Sequence, residues 1–232
     1  MKIEILFPEY CNLFGDMSNM GYLKQCLPHG EFIETALDSE PRFLTEPMDL
    51  VYLGPMTERG QERVIEKLMP YKERINSLIQ EGRVFLFTGN AVEVLGTSIE
   101  KEDGGKIHCL GLYPLTAKRD MMHRHNSTFL GKFQGQEVMG FKSQFTMAWC
   151  GDESLALFQV EKGVGLNKKC KFEGVRQKNF FGTYLLGPLL IDNPPFTKYL
   201  LQRMGVQEPK LAFEAAAQSA YDARLKDFKE KT

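Results

Sequence analysis

The sequence predicts one α/β domain whose sheet is mixed but mostly parallel, with helices on both faces. Three observations predict it. Short apolar runs alternate with helical stretches as far as Gly96, the grammar of strands joined by crossover helices. The stretch Val84–Gly96, V-F-L-F-T-G-N-A-V-E-V-L-G, passes from a strand through a sharp turn into a helix start. Beyond Gly96, short strands follow one another with turn residues between them, which predicts an antiparallel section.

Taken in order, Ile3–Phe7 is an apolar strand stopped by Pro8, and a loop with Asn12 and Gly15-Asp16 leads into a helix over Met17–Leu27. Pro28 and Gly30 close that helix. Glu31–Leu37 alternates as an edge strand does, and Asp49–Leu53 is a buried strand ending at Gly54-Pro55. Thr57–Ile79 has helical periodicity, but Pro70 removes a hydrogen bond and must divide it into two helices. Ile99–Lys101 and Lys106–Leu110 flank Asp103-Gly104-Gly105 as a hairpin. Strands are then expected over Tyr113–His123, Thr128–Phe133, Glu137–Ala148 and Leu155–Val160, and Phe172–Val175 and Phe180–Leu185 return to the sheet. Asp192-Asn193-Pro194-Pro195 opens a helix over Phe196–Met204. Pro209–Lys229 is an amphipathic helix with Phe213, Ala217, Tyr221, Leu225 and Phe228 on one stripe, and Lys226–Thr232 reads as its solvated end.

Composition excludes several functions. A chain of 232 residues with 43% hydrophobic content can bury a large core, and one domain is favoured over two. With 29 basic and 30 acidic residues the net charge is −1, and no block of Lys and Arg recruits nucleic acid or an anionic membrane. The five cysteines are odd in number and widely spaced, which gives neither a disulfide framework nor a zinc pair and fits a reducing cytoplasm. No apolar run is long enough for a membrane span, and Met1–Phe7 does not read as a signal peptide.

The strand-to-helix turn at Thr88-Gly89-Asn90 is the place where chemistry is expected. Such a turn lifts a side chain to the carboxyl edge of the sheet and aims backbone N–H groups at the same point, which suits a nucleophile attacking a carbonyl. At its apex stands Gly89, which has no side chain.

Six separated motifs carry a resemblance: Asn12-Leu13-Phe14-Gly15-Asp16, Leu53-Gly54, the Thr88–Gly96 turn, Cys109-Leu110-Gly111-Leu112, Gly140-Phe141, and Gly182-Thr183-Tyr184-Leu185-Leu186-Gly187-Pro188-Leu189-Leu190. In this order, over most of residues 1–200, they resemble a class I glutamine amidotransferase domain of the cobyric-acid-synthase-like branch, and within it the glutaminase subunits of lipid II isoglutaminyl synthases. The resemblance implies a three-layer α/β/α, flavodoxin-like fold with a mixed central sheet and a glutamine pocket at the strand ends. There a cysteine would take the γ-glutamyl group, a histidine would activate it, and the ammonia would pass to a synthetase partner of the Mur-ligase type.

Carried over residue by residue, the resemblance leaves that chemistry without its reagents. The family's nucleophile position is Gly89 and its base position is Leu186, so no catalytic residue is assigned. Acyl transfer to sulfur needs a thiolate within reach of a base. The turn after the second core strand, glycine-rich in the family, reads Gly54-Pro55-Met56; Pro55 has no N–H, and a lost oxyanion donor costs about 3 kcal/mol. Gln144 stands where the lipid II relatives carry a histidine.

Substitute reagents are weak on local grounds. Thr88 is the nearest hydroxyl, but strand alternation turns it away from the side Gly89 faces, and it reads as a threonine packed under the helix. Cys11 lies near the pocket loop and reads first as a small buried residue. Cys109 and His108 are strand neighbours and so face opposite sides. His123 and His125 share a strand face without a third metal ligand. Glu93, one turn into the elbow helix, either greets a cationic ligand or sits on the helix surface. The expected pocket therefore comprises Asn12, Asp16, Gly54, Thr88, Gly89, Asn90, Glu93, Gln144 and Leu186.

The reading is an amidotransferase-like domain over residues 1–206 with a C-terminal helix over 207–232, packed on the domain or docking a partner. It is a degenerate, non-glutaminase subunit or ligand-binding partner of a synthetase or ligase in cell-wall or cofactor amidation, with a small amino-acid-like ligand and without cofactor or metal. The alternative is an active amidotransferase or hydrolase using a displaced nucleophile such as Cys11 or Thr88.

Overall fold

A computed structural model of the chain describes residues 1–230. The strands are β1 (Lys2–Leu6), β2 (Glu31–Thr35), β3 (Leu50–Leu53), β4 (Val84–Thr88), β5 (Ser98–Glu100), β6 (Lys106–His108), β7 (Leu115–Arg119), β8 (His125–Phe133), β9 (Gln136–Gln144), β10 (Thr146–Cys150), β11 (Ala156–Lys162), β12 (Phe172–Gln177) and β13 (Phe180–Thr183). The helices are α1 (Ser18–Cys26), α2 (Glu58–Leu68), α3 (Lys72–Gln80), α4 (Leu189–Asp192), α5 (Pro194–Arg203) and α6 (Glu214–Glu230).

Nine strands form the main sheet in the order β2-β1-β3-β4-β13-β12-β11-β8-β9. Pairing is parallel from β2 to β13 and antiparallel from there to β9. The alternation of each central strand sorts side chains to two cores. Val51, Leu53, Phe85 and Phe87 join α2 and α3 on one face, whereas Leu50, Tyr52, Val84 and Leu86 join α1, α4 and α5 on the other. That is the expected three-layer α/β/α arrangement, with β2 at the edge as its alternation predicts. Pro70 falls in the 3-10 turn Met69–Tyr71 between α2 and α3, and the Thr57 hydroxyl caps α2 by accepting from Gly60 N at 3.1 Å.

Three expectations need correction. The segment Gly89–Leu95 is 3-10 rather than α-helical, being buried on nearly every side and too short to leave an exposed face. Glu137–Ala148 is two strands: β9 ends at Gln144, and β10 pairs with β7 in a separate four-stranded sheet, β10-β7-β5-β6. That sheet contains one parallel pair, β5 with β7, inside the section expected to be antiparallel.

The C-terminal helix starts at Glu214, later than its periodicity suggests. It packs on the chain's own sheet: Tyr221 is buried against Leu130 and Met139, and its hydroxyl donates to Glu137 O at 2.9 Å. Phe213, the first residue of the expected stripe, is instead 66% exposed. Residues 231–232 of the expected solvated end lie outside the described residues. Among the described residues no helix is long and apolar enough to cross a membrane.

Candidate functional site

Parallel strands β3 and β4 deliver two turns to the same edge of the sheet. Gly89 follows β4 with φ +58°, a left-handed conformation that favours glycine. Gly54 follows β3, and a Cβ there would drive into the carbonyl oxygen of Cys11, so a glycine is required where the two loops cross. The third contributor is the segment after β13, where Leu186 N donates to Phe141 O at 3.0 Å and fixes its side chain above the β4 turn.

These three turns meet in hydrocarbon. A Cβ built on Gly89 would stand 2.5 Å from Cβ of Pro55 and 3.1 Å from Cδ2 of Leu186. Pro55 and Leu186 thus occupy the space above the apex. The N–H of Met56, next to Pro55, is already committed to Asn90 Oδ1 at 3.0 Å, while Asn90 Nδ2 returns a bond to Met56 O at 2.8 Å. Asn90 therefore clamps the β3 and β4 turns together.

Two of the expected pocket acids do not face the opening. Asp16 is fully buried and accepts from Thr88 Oγ1 at 2.6 Å and Asn19 Nδ2 at 3.2 Å, and also from the Tyr52 hydroxyl and Gly187 N. Burial pushes its pKa up, opposed by those four donors. Glu93 is neither a greeter of cations nor a surface residue. It is buried and accepts from Thr146 Oγ1 at 2.5 Å, Gln61 Nε2 at 2.8 Å and Tyr184 OH at 2.8 Å. Its pKa too is pushed up by burial. Thr88 is tied to Asp16 rather than merely packed under the helix, and Asn12 is exposed, capping the loop by accepting from Met17 N at 3.1 Å.

The open cleft lies beside the apex, with a volume of about 280 Å³. Asn90, Gln144 and Leu186 line it, joined by Leu13, Phe14, Pro55 and Arg124. Gln144 is buried, and its Nε2 donates to Thr146 O at 2.6 Å, but its Oε1 has no partner. Arg124 stacks on Phe145 at 4.4 Å and on Phe14 at 5.9 Å, and among the described residues no carboxylate pairs with it. Sequence reasoning missed Arg124 because it belongs to no motif and reaches the cleft from the β7–β8 loop. Of the remaining candidates, Cys11 packs its sulfur 3.8 Å from that of Met56, and burial pushes its thiol far up. Cys109 is buried, its pKa pushed up to about 12, while His108 is exposed. His123 lies on the β7–β8 loop against Asp120, and His125 begins β8 bonded to Ser127, so the two do not share a strand face. Among the described residues no group of three His, Cys, Asp or Glu is placed to hold a metal ion.

The pattern of the CobB/CobQ-like glutamine amidotransferase domain matches residues 2–194. The chain belongs to that family. Among curated members of this amidotransferase family it is 26% identical over 201 residues to the subunit GatD of the glutamine-hydrolysing lipid II isoglutaminyl synthase of Streptococcus pneumoniae (strain ATCC BAA-255 / R6), covering 83% of this chain and 76% of that one. It is 24% identical over 194 residues to the subunit of the same name from Staphylococcus aureus (strain N315), covering 83% and 79%. Similar structures include a glutamine amidotransferase (TM-score 0.59, 14% identity, 88% of this chain and 99% of that one) and PurLQS from Thermotoga maritima (0.55, 12%, 97% and 98%). At those identities the structures show the class I amidotransferase fold, as the motifs implied.

Proposed function

We propose that this chain is an amidotransferase-like subunit that no longer hydrolyses glutamine and persists as a ligand-binding or regulatory partner of a Mur-ligase-type synthetase, in the amidation of a cell-wall or cofactor substrate. The observation that carries the reading is the packing of Pro55 and Leu186 against Gly89. Glutaminase chemistry forms a bond from sulfur to the γ-carbonyl carbon, breaks the C–N bond and needs a base to move the proton. Here the apex offers hydrogen, and the group above it is hydrocarbon. Oxyanion stabilisation is also diminished, because Pro55 has no N–H and that of Met56 is committed to Asn90.

The cleft beside the apex nevertheless retains recognition chemistry. Arg124 offers a guanidinium without a carboxylate, and Gln144 Oε1 is an acceptor without a donor. A small amino-acid-like molecule supplies a carboxylate for the first. That both GatD relatives are named as subunits of a synthase supports a partner for this chain as well.

The test is to incubate contaminant-free protein with glutamine and, separately, with an electrophilic glutamine analogue, reading ammonia release and intact mass. Neither ammonia above the blank nor a covalent adduct is expected. Ammonia at an enzyme-like rate, or stoichiometric labelling of Cys11 or Thr88, sinks the reading in favour of a displaced nucleophile. One contact favours that second reading, the 2.6 Å bond between Thr88 Oγ1 and Asp16, which pairs a hydroxyl with a carboxylate. Against it, both groups are fully buried and neither lines the cleft.

A further inference from the structure

A second cavity, of about 340 Å³, opens beyond Arg124 on the far side of Gln144. Its walls come from the end of β7, the β7–β8 loop, the outer face of β10 and Lys168 on the β11–β12 loop. Its charge departs from that of the chain. Four lysines and arginines line it against one acid, Asp120, although the whole molecule carries −1. Lys118 and Arg119 are already paired, with Glu100 at 2.7 Å and Glu62 at 2.6 Å, and Asp120 is taken by His123. Arg124 and Lys168 remain, among the described residues, without a carboxylate.

Two further features are independent of charge. Trp149, on the solvent face of β10, is 49% exposed at the cavity wall, an unusual position for a large aromatic ring. Among the described residues three buried side chains carry a polar atom without a hydrogen-bond partner, and two of them, Arg119 Nε and Gln144 Oε1, belong to residues of this cavity. Both side chains are more than nine-tenths buried. One orphan is a donor and the other an acceptor, so the polar groups of this wall are not fully matched within the chain.

We propose that this cavity binds a sugar phosphate, with the phosphate held by Arg124 and Lys168 and the ring lying on Trp149. The size suits one sugar and its phosphate rather than a polymer. Guanidinium and ammonium groups bind phosphate through charge-assisted hydrogen bonds. An exposed indole offers an apolar face for the C–H groups of a sugar ring. The inference goes beyond the amidotransferase reading and does not need it, since Lys168, His125 and Trp149 line this cavity and not the one beside Gly89; Arg124 lines both, so its guanidinium serves one ligand at a time.

The molecule carries its own reporters. Trp149 is the chain's one tryptophan, so its fluorescence reads the cavity directly. His125, whose pKa is held down by burial and then by Lys142 and Lys168, should rise when an anion offsets that positive field. The intact chain is titrated with glucose 1-phosphate, inorganic phosphate and glucose at fixed ionic strength, following fluorescence and the His125 ring signals by NMR. A saturable response to glucose 1-phosphate is expected, about tenfold weaker for inorganic phosphate and absent for glucose. Lys168→Glu, an exposed substitution whose folding is checked by circular dichroism, should weaken binding about tenfold or more. Trp149→Phe should keep the His125 shift at reduced affinity. No saturable response to the ester, an unchanged affinity in Lys168→Glu, or equal affinities for ester and inorganic phosphate would each overturn the proposal.

Discussion

Leu186 closes over Gly89 so tightly that a Cβ on the glycine would lie 3.1 Å from Leu186 Cδ2, with Pro55 Cβ closer still at 2.5 Å. The three residues form one packing unit, brought together from turns after three different strands. The apex could not regain a side chain alone, because the space it needs is already filled.

Gly89→Cys by itself should therefore give no glutaminase and a weaker fold. Overpacking and a non-glycine residue at positive φ together cost about 2–5 kcal/mol. The double change Pro55→Gly, Gly89→Cys should recover part of that loss, because the nearer clashing group is removed. Urea unfolding of the single and double variants measures this, and a double variant no more stable than the single would contradict the packing argument.

Asp16 ties four donors from four parts of the chain, so Asp16→Ala should be among the most damaging single substitutions at this edge of the sheet. It leaves Thr88, Tyr52, Asn19 and Gly187 with unmet hydrogen bonds in the interior. The expected loss is about 3 kcal/mol or more. Tyr52→Phe, which removes one donor and keeps the ring, should cost roughly 1 kcal/mol. Comparing the two midpoints in denaturant is the check.

Much of the scaffold was legible because it depends on local grammar. Pro70 divides two helices where proline must, Gly54 and Gly89 mark the turns, and the alternation of Val84–Thr88 sends its side chains to opposite cores. The break between β9 and β10 was not legible. Gln144-Phe145-Thr146 contains no turn residue, and the chain changes sheet at contacts far off in sequence, where Asp120 N bonds Phe145 O at 2.7 Å and Arg124 stacks on the Phe145 ring. The site was legible at its apex, where missing side chains are visible in the sequence. The burial of Asp16 and Glu93 was hidden because their partners lie far along the chain, as Thr146 does from Glu93. Arg124 and Trp149 stand outside every motif and acquire meaning only from the cavity walls.

Lys142 and Glu173 are both fully buried, 3.9 Å apart, with the lysine also bonded to Gly165 O at 2.6 Å and the glutamate accepting from Thr183 Oγ1 at 2.5 Å. Removing one partner should cost about 3–5 kcal/mol, because the other charge is left without compensation. Lys142→Met should show that loss, and Lys142→Met with Glu173→Gln should recover most of it. A double variant as weak as the single would mean that the attraction between the two charges is not what matters.

Glu93 gives the pH dependence a sign that can be worked out. Burial raises its folded pKa above the usual carboxylate range, with Thr146, Gln61, Tyr184 and the more distant Arg119 opposing the rise. Below the unfolded pKa both states hold the proton and Glu93's contribution to stability is complete. As pH climbs through the folded value, the unfolded chain releases the proton more readily and that contribution is lost. Glu93→Gln has nearly the same shape and does not titrate, so its deficit against the natural chain should be greatest in mild acid and shrink as the solution becomes neutral. Every other titrating group, including Asp16 and Glu173, is common to both proteins and cancels in the difference to first order. Urea unfolding of the pair at several pH values from mild acid to neutral measures that difference. A deficit that widens with rising pH would mean that the folded site prefers the carboxylate, and that its hydrogen-bond donors outweigh burial.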